Sequence, residues 1–211
     1  LDSAASSAGS GGTGPTAGSL DSPTPTAQTV STASVDATYG VEMVRAPEVW
    51  AEFDTRGGGA TVAVLDTGVD PDHPDLTVTG WAEIDENGDV NQTSDTPYDL
   101  NGHGTHVAGS VAGGNASGTA IGVAPNATVH AIKVFPGDER STTFTRILGG
   151  MEHATEDSEV DVLQMSLGAD GYYSEFIDPV RNARSAGKVV VASSGNRDTD
   201  PSSTPGNVYD S

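Results

Sequence analysis

GGGATVAVLDTG, residues 57–68, decides the fold of this 211-residue chain. Residues 62–65 are all apolar and lie between a glycine cluster and a turn. A strand with one wet face alternates apolar and polar residues. An unbroken apolar run belongs to a strand covered on both faces, as in parallel sheets. TVHAIKVF (128–135), VDVLQMSL (160–167) and KVVVAS (188–193) read as further strands. Segments of helical spacing lie between and after them: 103–113, rich in small side chains; 144–157, carrying Phe144, Ile147, Leu148 and Met151; and 173–186. Strands alternating with helices predict an α/β fold, three-layer, with a mostly parallel sheet and helices on both faces. Sites in such sheets form beyond the carboxyl ends of strands. Asp66, Ser166 and Asn196 fall at or just past strand ends, so the pattern alone expects them on one rim.

Charge narrows the functions open to the chain. Asp and Glu total 30 against 9 Lys plus Arg, a net charge of −21, and the only lysines are Lys133 and Lys188. Nucleic acid and anionic lipid are expected to be repelled, because binding either needs clustered cations. Concentrated salt screens such self-repulsion, so a salt-adapted source is expected. An ordinary acidic secreted protein is the alternative. With no cysteine there is no disulfide, thiolate metal site or cysteine nucleophile. No apolar run approaches the ~20 residues that span a membrane. The chain starts on Leu1 without a basic-then-apolar leader and reads as a processed or partial product. Residues 1–38 include 30 Ser, Ala, Thr, Gly or Pro and no Lys or Arg, which reads as a disordered linker ahead of a folded domain at 39–211.

Three stretches carry chemistry. VAVLDTGVD (62–70) ends a strand on Asp66, where a partly buried carboxylate needs a hydrogen-bonding partner. A turn-forming or helix-capping role is equally open for it. NGHGTHVAG (101–109) puts His103 just before a helical run, with His106 three residues on and on the same face. Such a pair can share a metal ion. The metallopeptidase pattern, however, needs His-Glu-x-x-His, and HGTH lacks both the spacing and the glutamate. VVVASSGN (189–196) ends on Asn196, whose amide could donate to a developing oxyanion or serve only in a turn. An acid, a base and an amide donor are three of the four parts of nucleophilic hydrolysis by serine. The serine itself is not identifiable in the sequence.

DTG, NGHGTHVAG, MSLG (165–168) and ASSGN (192–196), in that order on those elements, resemble the subtilisin-like serine peptidases. YGVEMVRAPEVW (39–50) looks like the start of a mature domain of that family. The resemblance runs from Tyr39 to the last residue. It implies that Asp66 orients an imidazole, that His103 is the general base and acid, and that Asn196 lines the oxyanion hole. His106 matches a structural position. Ser166, Leu167 and Gly168 match the strand that pairs with an extended substrate, and Ser193, Ser194 and Gly195 the opposite wall. The implied substrates are polypeptides, the implied location is extracellular, and a monomer is expected.

The likeness stops short of the nucleophile. Fifteen residues follow Asn196 and none resembles the family's GTSMA-type motif. The chain is therefore expected to be the N-terminal two-thirds of a catalytic domain, with the C-terminal part of the fold missing, and inactive alone. A non-catalytic peptide-binding pseudoenzyme is the competing class. Thr204-Pro205-Gly206 resembles a family turn with a cis-proline, with Thr where an aromatic is usual. Asp75 matches a carboxylate that helps bind structural Ca2+, although loop 114–120 has Ala116 where a side-chain oxygen would be expected. DENGDVNQTSD (85–95) is dense in hard oxygen ligands, but it breaks the EF-hand pattern and reads first as a solvated acidic loop. No organic cofactor is implied.

Overall fold

The computed structural model describes residues 36–196 and 203–208. The linker reading therefore falls, for 1–35, outside the described residues. Five parallel strands form one sheet in the order β2 (Val78–Glu83), β3 (Thr128–Lys133), β1 (Thr61–Asp66), β4 (Val162–Met165) and β6 (Val189–Ala192). The central β1 is hydrogen-bonded along both edges, and residues 62–66 are all buried. That placement is why its sequence has no polar alternation.

The two faces of β1 part cleanly. Val62 and Val64 pack with Val107, Ala108 and Ala112 of α3 (His103–Ala112). Ala63 and Leu65 pack on the other side with Ile147, Met151 and Ala154 of α4 (Phe144–Glu156) and with Val180 and Ala183 of α5 (Ile177–Ser185). The expected three layers are present. Side chains in a strand alternate faces with period two. Asp66, two residues past Val64, therefore belongs to the α3 face, and so does Lys133, two past Ala131. Register pairs Lys133 with Asp66 on one side and with Glu83 on the other. One carboxylate, one ammonium and a second carboxylate thus line up across the carboxyl ends of three adjacent strands.

Several boundaries differ from expectation. The backbone of residues 36–38 is not free: Ala120 N donates to Asp36 O at 2.8 Å and Thr38 N to Ala120 O at 3.0 Å. Ordered backbone contacts thus reach three residues ahead of Tyr39. Two short helices follow, α1 (Tyr39–Met43) and α2 (Ala46–Phe53), and Trp50 of α2 is pinned by its indole N–H to Val123 O at 2.9 Å. The segment 173–186 opens with a 3-10 turn, Ser174–Phe176, before α5. β2 was not expected. Gly80 interrupts its apolar residues, and its outer half is only partly covered because it is an edge strand. A short antiparallel pair, β5 (Ala169–Asp170) and β7 (Ser203–Thr204), precedes a cis Thr204–Pro205 peptide. No described helix is long and apolar enough to cross a membrane.

Candidate active site

Asp66 is fully buried at the rim of the sheet. Its Oδ1 accepts the Thr67 N–H at 2.7 Å and lies 2.7 Å from His103 Nδ1. Its Oδ2 has no hydrogen-bond partner among the described residues. Burial raises the Asp66 pKa and outweighs the opposing hydrogen bonds from His103 and Thr67.

His103 is the first residue of α3, and its side chain is 49% exposed while that of Asp66 is not exposed at all. With Asp66 ionised, Nδ1–H donates to it, which fixes the tautomer and leaves the Nε2 lone pair free to take a proton. Two glycines permit this approach. A Cβ on Gly104 would lie 2.1 Å from Gly68 O and 3.1 Å from Asp66 Cβ. Gly68 itself has φ +114°, which L side chains rarely adopt.

The helix N-terminus is closed by side chains other than its own cap residue. Gly102, at the cap position, has none to offer. Asp99 Oδ1 accepts Asn101 N at 3.0 Å and Gly102 N at 2.9 Å, and Oδ2 accepts Thr105 N at 2.9 Å and Thr105 Oγ1 at 2.7 Å. Thr67 Oγ1 donates to Asp99 Oδ1 and accepts Gly104 N, each at 2.9 Å. Lys133, 1% exposed, donates its Nζ to Thr67 O at 2.6 Å and Gly137 O at 2.8 Å. Burial lowers its pKa, against the acids Asp99, Glu83 and Asp66. Glu83 accepts Thr93 N, Thr93 Oγ1 and Tyr98 OH.

A cleft of about 650 Å3 opens beside His103. His106, Ser166, Leu167 and Gly168 line it too, over an apolar floor of Phe135, Phe144, Ile147 and Phe176. Phe144 meets Tyr173 and Phe176 edge-on, with centroids 4.7 and 5.2 Å apart. An acid–base pair beside a cleft can move a proton at Nε2 of a group bound there.

The other expected residues are placed less simply. Ser193 Oγ donates to Leu167 O at 3.0 Å and Ser194 O accepts Ser203 N at 2.9 Å, so this segment lies against 166–168. Ser193, Ser194, Gly195 and the exposed Asn196 are not in the lining of the His103 cleft. Among the described residues no serine hydroxyl is hydrogen-bonded to His103, and no group of three His, Cys, Asp or Glu could hold a metal ion. Asp75 Oδ1 accepts Ala116 N and the Asp75 carbonyl accepts Gly114 N, which ties the 114–116 backbone to it. In the 85–95 loop, Asp85 Oδ1 accepts the N–H of Asn87 at 2.9 Å and of Asp89 at 3.1 Å.

The sequence reading missed Asp99, Thr67, Lys133 and the aromatic floor. Only Asp99 left a local signal: an Asp just ahead of a helical run is a capping residue.

The family model described as the subtilase family matches residues 57–211. The major intracellular serine protease of Bacillus subtilis is 39% identical over 160 residues, covering 74% of this chain and 49% of that protein. Subtilisin DY of Bacillus licheniformis is 38% identical over 158 residues (75% and 54%), and thermitase of Thermoactinomyces vulgaris 37% over 162 (75% and 54%). The chain spans about half the length of these curated relatives.

Proposed function

The chain belongs to the subtilase family, and from that premise we propose that the protein is a serine-type endopeptidase whose orienting acid is Asp66 and whose general base is His103. One observation carries the assignment. Asp66 Oδ1 holds His103 Nδ1 at 2.7 Å while the half-exposed ring lines a cleft. In the proposed reaction a serine hydroxyl passes its proton to Nε2 as its oxygen attacks the peptide carbonyl carbon. The C–N bond then breaks, and His103 returns the proton to the departing amine. Asn196 is proposed as a donor to the oxyanion. Ser166, Leu167 and Gly168 are proposed to pair with an extended polypeptide, with Ser193, Ser194 and Gly195 opposite.

The nucleophile is not assigned to any of the 211 residues, so we propose that these residues alone do not turn over substrate. Secretion is proposed from the family likeness, although the names of two relatives say "intracellular". Adaptation to salt rests on the net charge of −21 with two lysines.

A serine-directed fluorophosphonate probe tests the reading. The 211-residue chain is expected to stay unlabelled in low and high salt, and covalent labelling of it overturns the inactivity. Any longer product of the same coding sequence that carries a GTSMA-type serine is expected to label in a manner abolished by His103→Ala. Labelling indifferent to that substitution removes His103 as the base.

A further inference from the structure

Asp99 is not needed to state the acid–base chemistry, yet it is the most heavily hydrogen-bonded side chain of the site. Five donors converge on its carboxylate: Thr67 Oγ1, Asn101 N, Gly102 N, Thr105 N and Thr105 Oγ1, all between 2.7 and 3.0 Å. They come from both sides of the Asp66–His103 pair. Thr67 is the residue after Asp66, and its own N–H donates to Asp66 Oδ1. Gly102 and Thr105 bracket His103 in the first turn of α3. Thr67 Oγ1 also accepts Gly104 N, which closes a second path between the two segments. The backbone adds a third, an isolated antiparallel bridge between Gly68 and Asp99.

We propose that Asp99 is a positioning residue for His103, whose carboxylate locks the turn after β1 to the first turn of α3 and so sets the Asp66–His103 separation. The proposal rests on the peptidase reading for its functional meaning only. The physical reason is geometric. Each segment alone can pivot: His103 sits at a helix end with no side-chain cap of its own, and Asp66 ends a strand. A single carboxylate that accepts from both removes that freedom. A negative charge at this helix end is also favourable, because the unpaired N–H groups of the first turn point at it. Burial works against the charge of Asp99, but the hydrogen bonds from Thr105, Gly102 and Thr67 win and lower its pKa, so it is the acceptor-only carboxylate that these donors meet. A neutral amide at 99 would turn its NH2 toward one set of donors and lose them.

The test uses the 211-residue chain and reads the low-field proton of His103 Nδ1–H by NMR, together with its exchange with solvent. The unaltered chain is expected to show this resonance whether or not the protein hydrolyses anything. Asp99→Asn and the near-isosteric Thr67→Val are each expected to speed its exchange at least about tenfold, the effect of losing one hydrogen bond to a charged group. Met151→Ala, in the core on the α4 face, is expected to lower the melting temperature without changing the exchange. A purely structural role for Asp99 predicts instead that all three variants move exchange only as far as they move stability, and that result overturns the proposal. So does a folded Asp99→Asn or Thr67→Val with unaltered exchange. Should Asp99→Asn not fold, Thr67→Val decides alone. A missing resonance in the unaltered chain removes the Asp66–His103 pair itself, and with it both the peptidase reading and the role of Asp99.

Discussion

Gly104 and Gly109 are two glycines of one helix that should respond to alanine with opposite signs. A Cβ at Gly104 would sit 2.1 Å from Gly68 O, where ordinary contact starts near 3.4 Å. The deficit of about 1.3 Å must be met by movement, and the atom met is backbone, not the end of a flexible side chain. The start of α3 has to lift away from Asp66. Overpacking of this kind costs about 1–3 kcal/mol, and contact with backbone leaves little relief, so the upper end applies. Alanine's helix propensity returns about 1 kcal/mol. Gly104→Ala should therefore destabilise the chain by about 2 kcal/mol, a fall of roughly 4–8 °C in melting temperature for a domain of this size. At Gly109 the nearest atom to an added Cβ is Ile121 Cδ1 at 3.8 Å, an ordinary contact. There only the backbone term remains, and Gly109→Ala should stabilise by about 0.5–1 kcal/mol. Thermal melts followed by circular dichroism at pH 7 compare the two. The reasoning is wrong if both variants shift in the same direction, or if Gly104→Ala melts within about 1 °C of the parent.

Asp66→Asn should raise stability at pH 7, because burial holds this carboxyl above its ordinary 3.8 and penalises the charged form. The sign follows from proton counts. Between 3.8 and the raised value the folded chain binds more protons than the unfolded one, so the Asp66 contribution falls as pH rises through that window and is level above it. Urea midpoints should show the advantage of the variant narrowing as pH is lowered toward that window, and a parent as stable as the variant at pH 7 contradicts the burial argument. Lys133→Met keeps an apolar stem but leaves Thr67 O and Gly137 O without their donor and removes the cation facing Glu83, Asp99 and Asp66. Breaking such a buried arrangement costs about 3–5 kcal/mol. Urea unfolding with an unchanged m-value would register it, and a loss below about 1 kcal/mol would show that these acids do not depend on the lysine.

What the sequence could carry was whatever repeats with a fixed period or sits within one turn. The unbroken run 62–65 revealed a strand covered on both faces, and period-two parity then assigns Asp66 to the face on which α3 packs. His103 could be read because the small residues after it mark a helix that can come close. Asp99 could not be weighed in the same way. Its neighbour in sequence is the helix it caps, but one of its five hydrogen bonds comes from Thr67, 32 residues earlier. The cleft floor is equally hidden: Phe135 follows β3, Phe144 opens α4 and Phe176 ends a 3-10 turn, and only the folded sheet brings them together. The loop contact of Asp75 is hidden in the same way: its carboxylate accepts Ala116 N, 41 residues later. A carboxylate's role is set by which donors the backbone turns toward it. At Asp66 the donors are one N–H and one imidazole, at Asp99 five hydrogen-bond donors and no imidazole, at Asp75 a loop amide. Three aspartates of the same residue type thus differ in the donors they meet, and those donors come from segments that the fold, not the local sequence, brings to them.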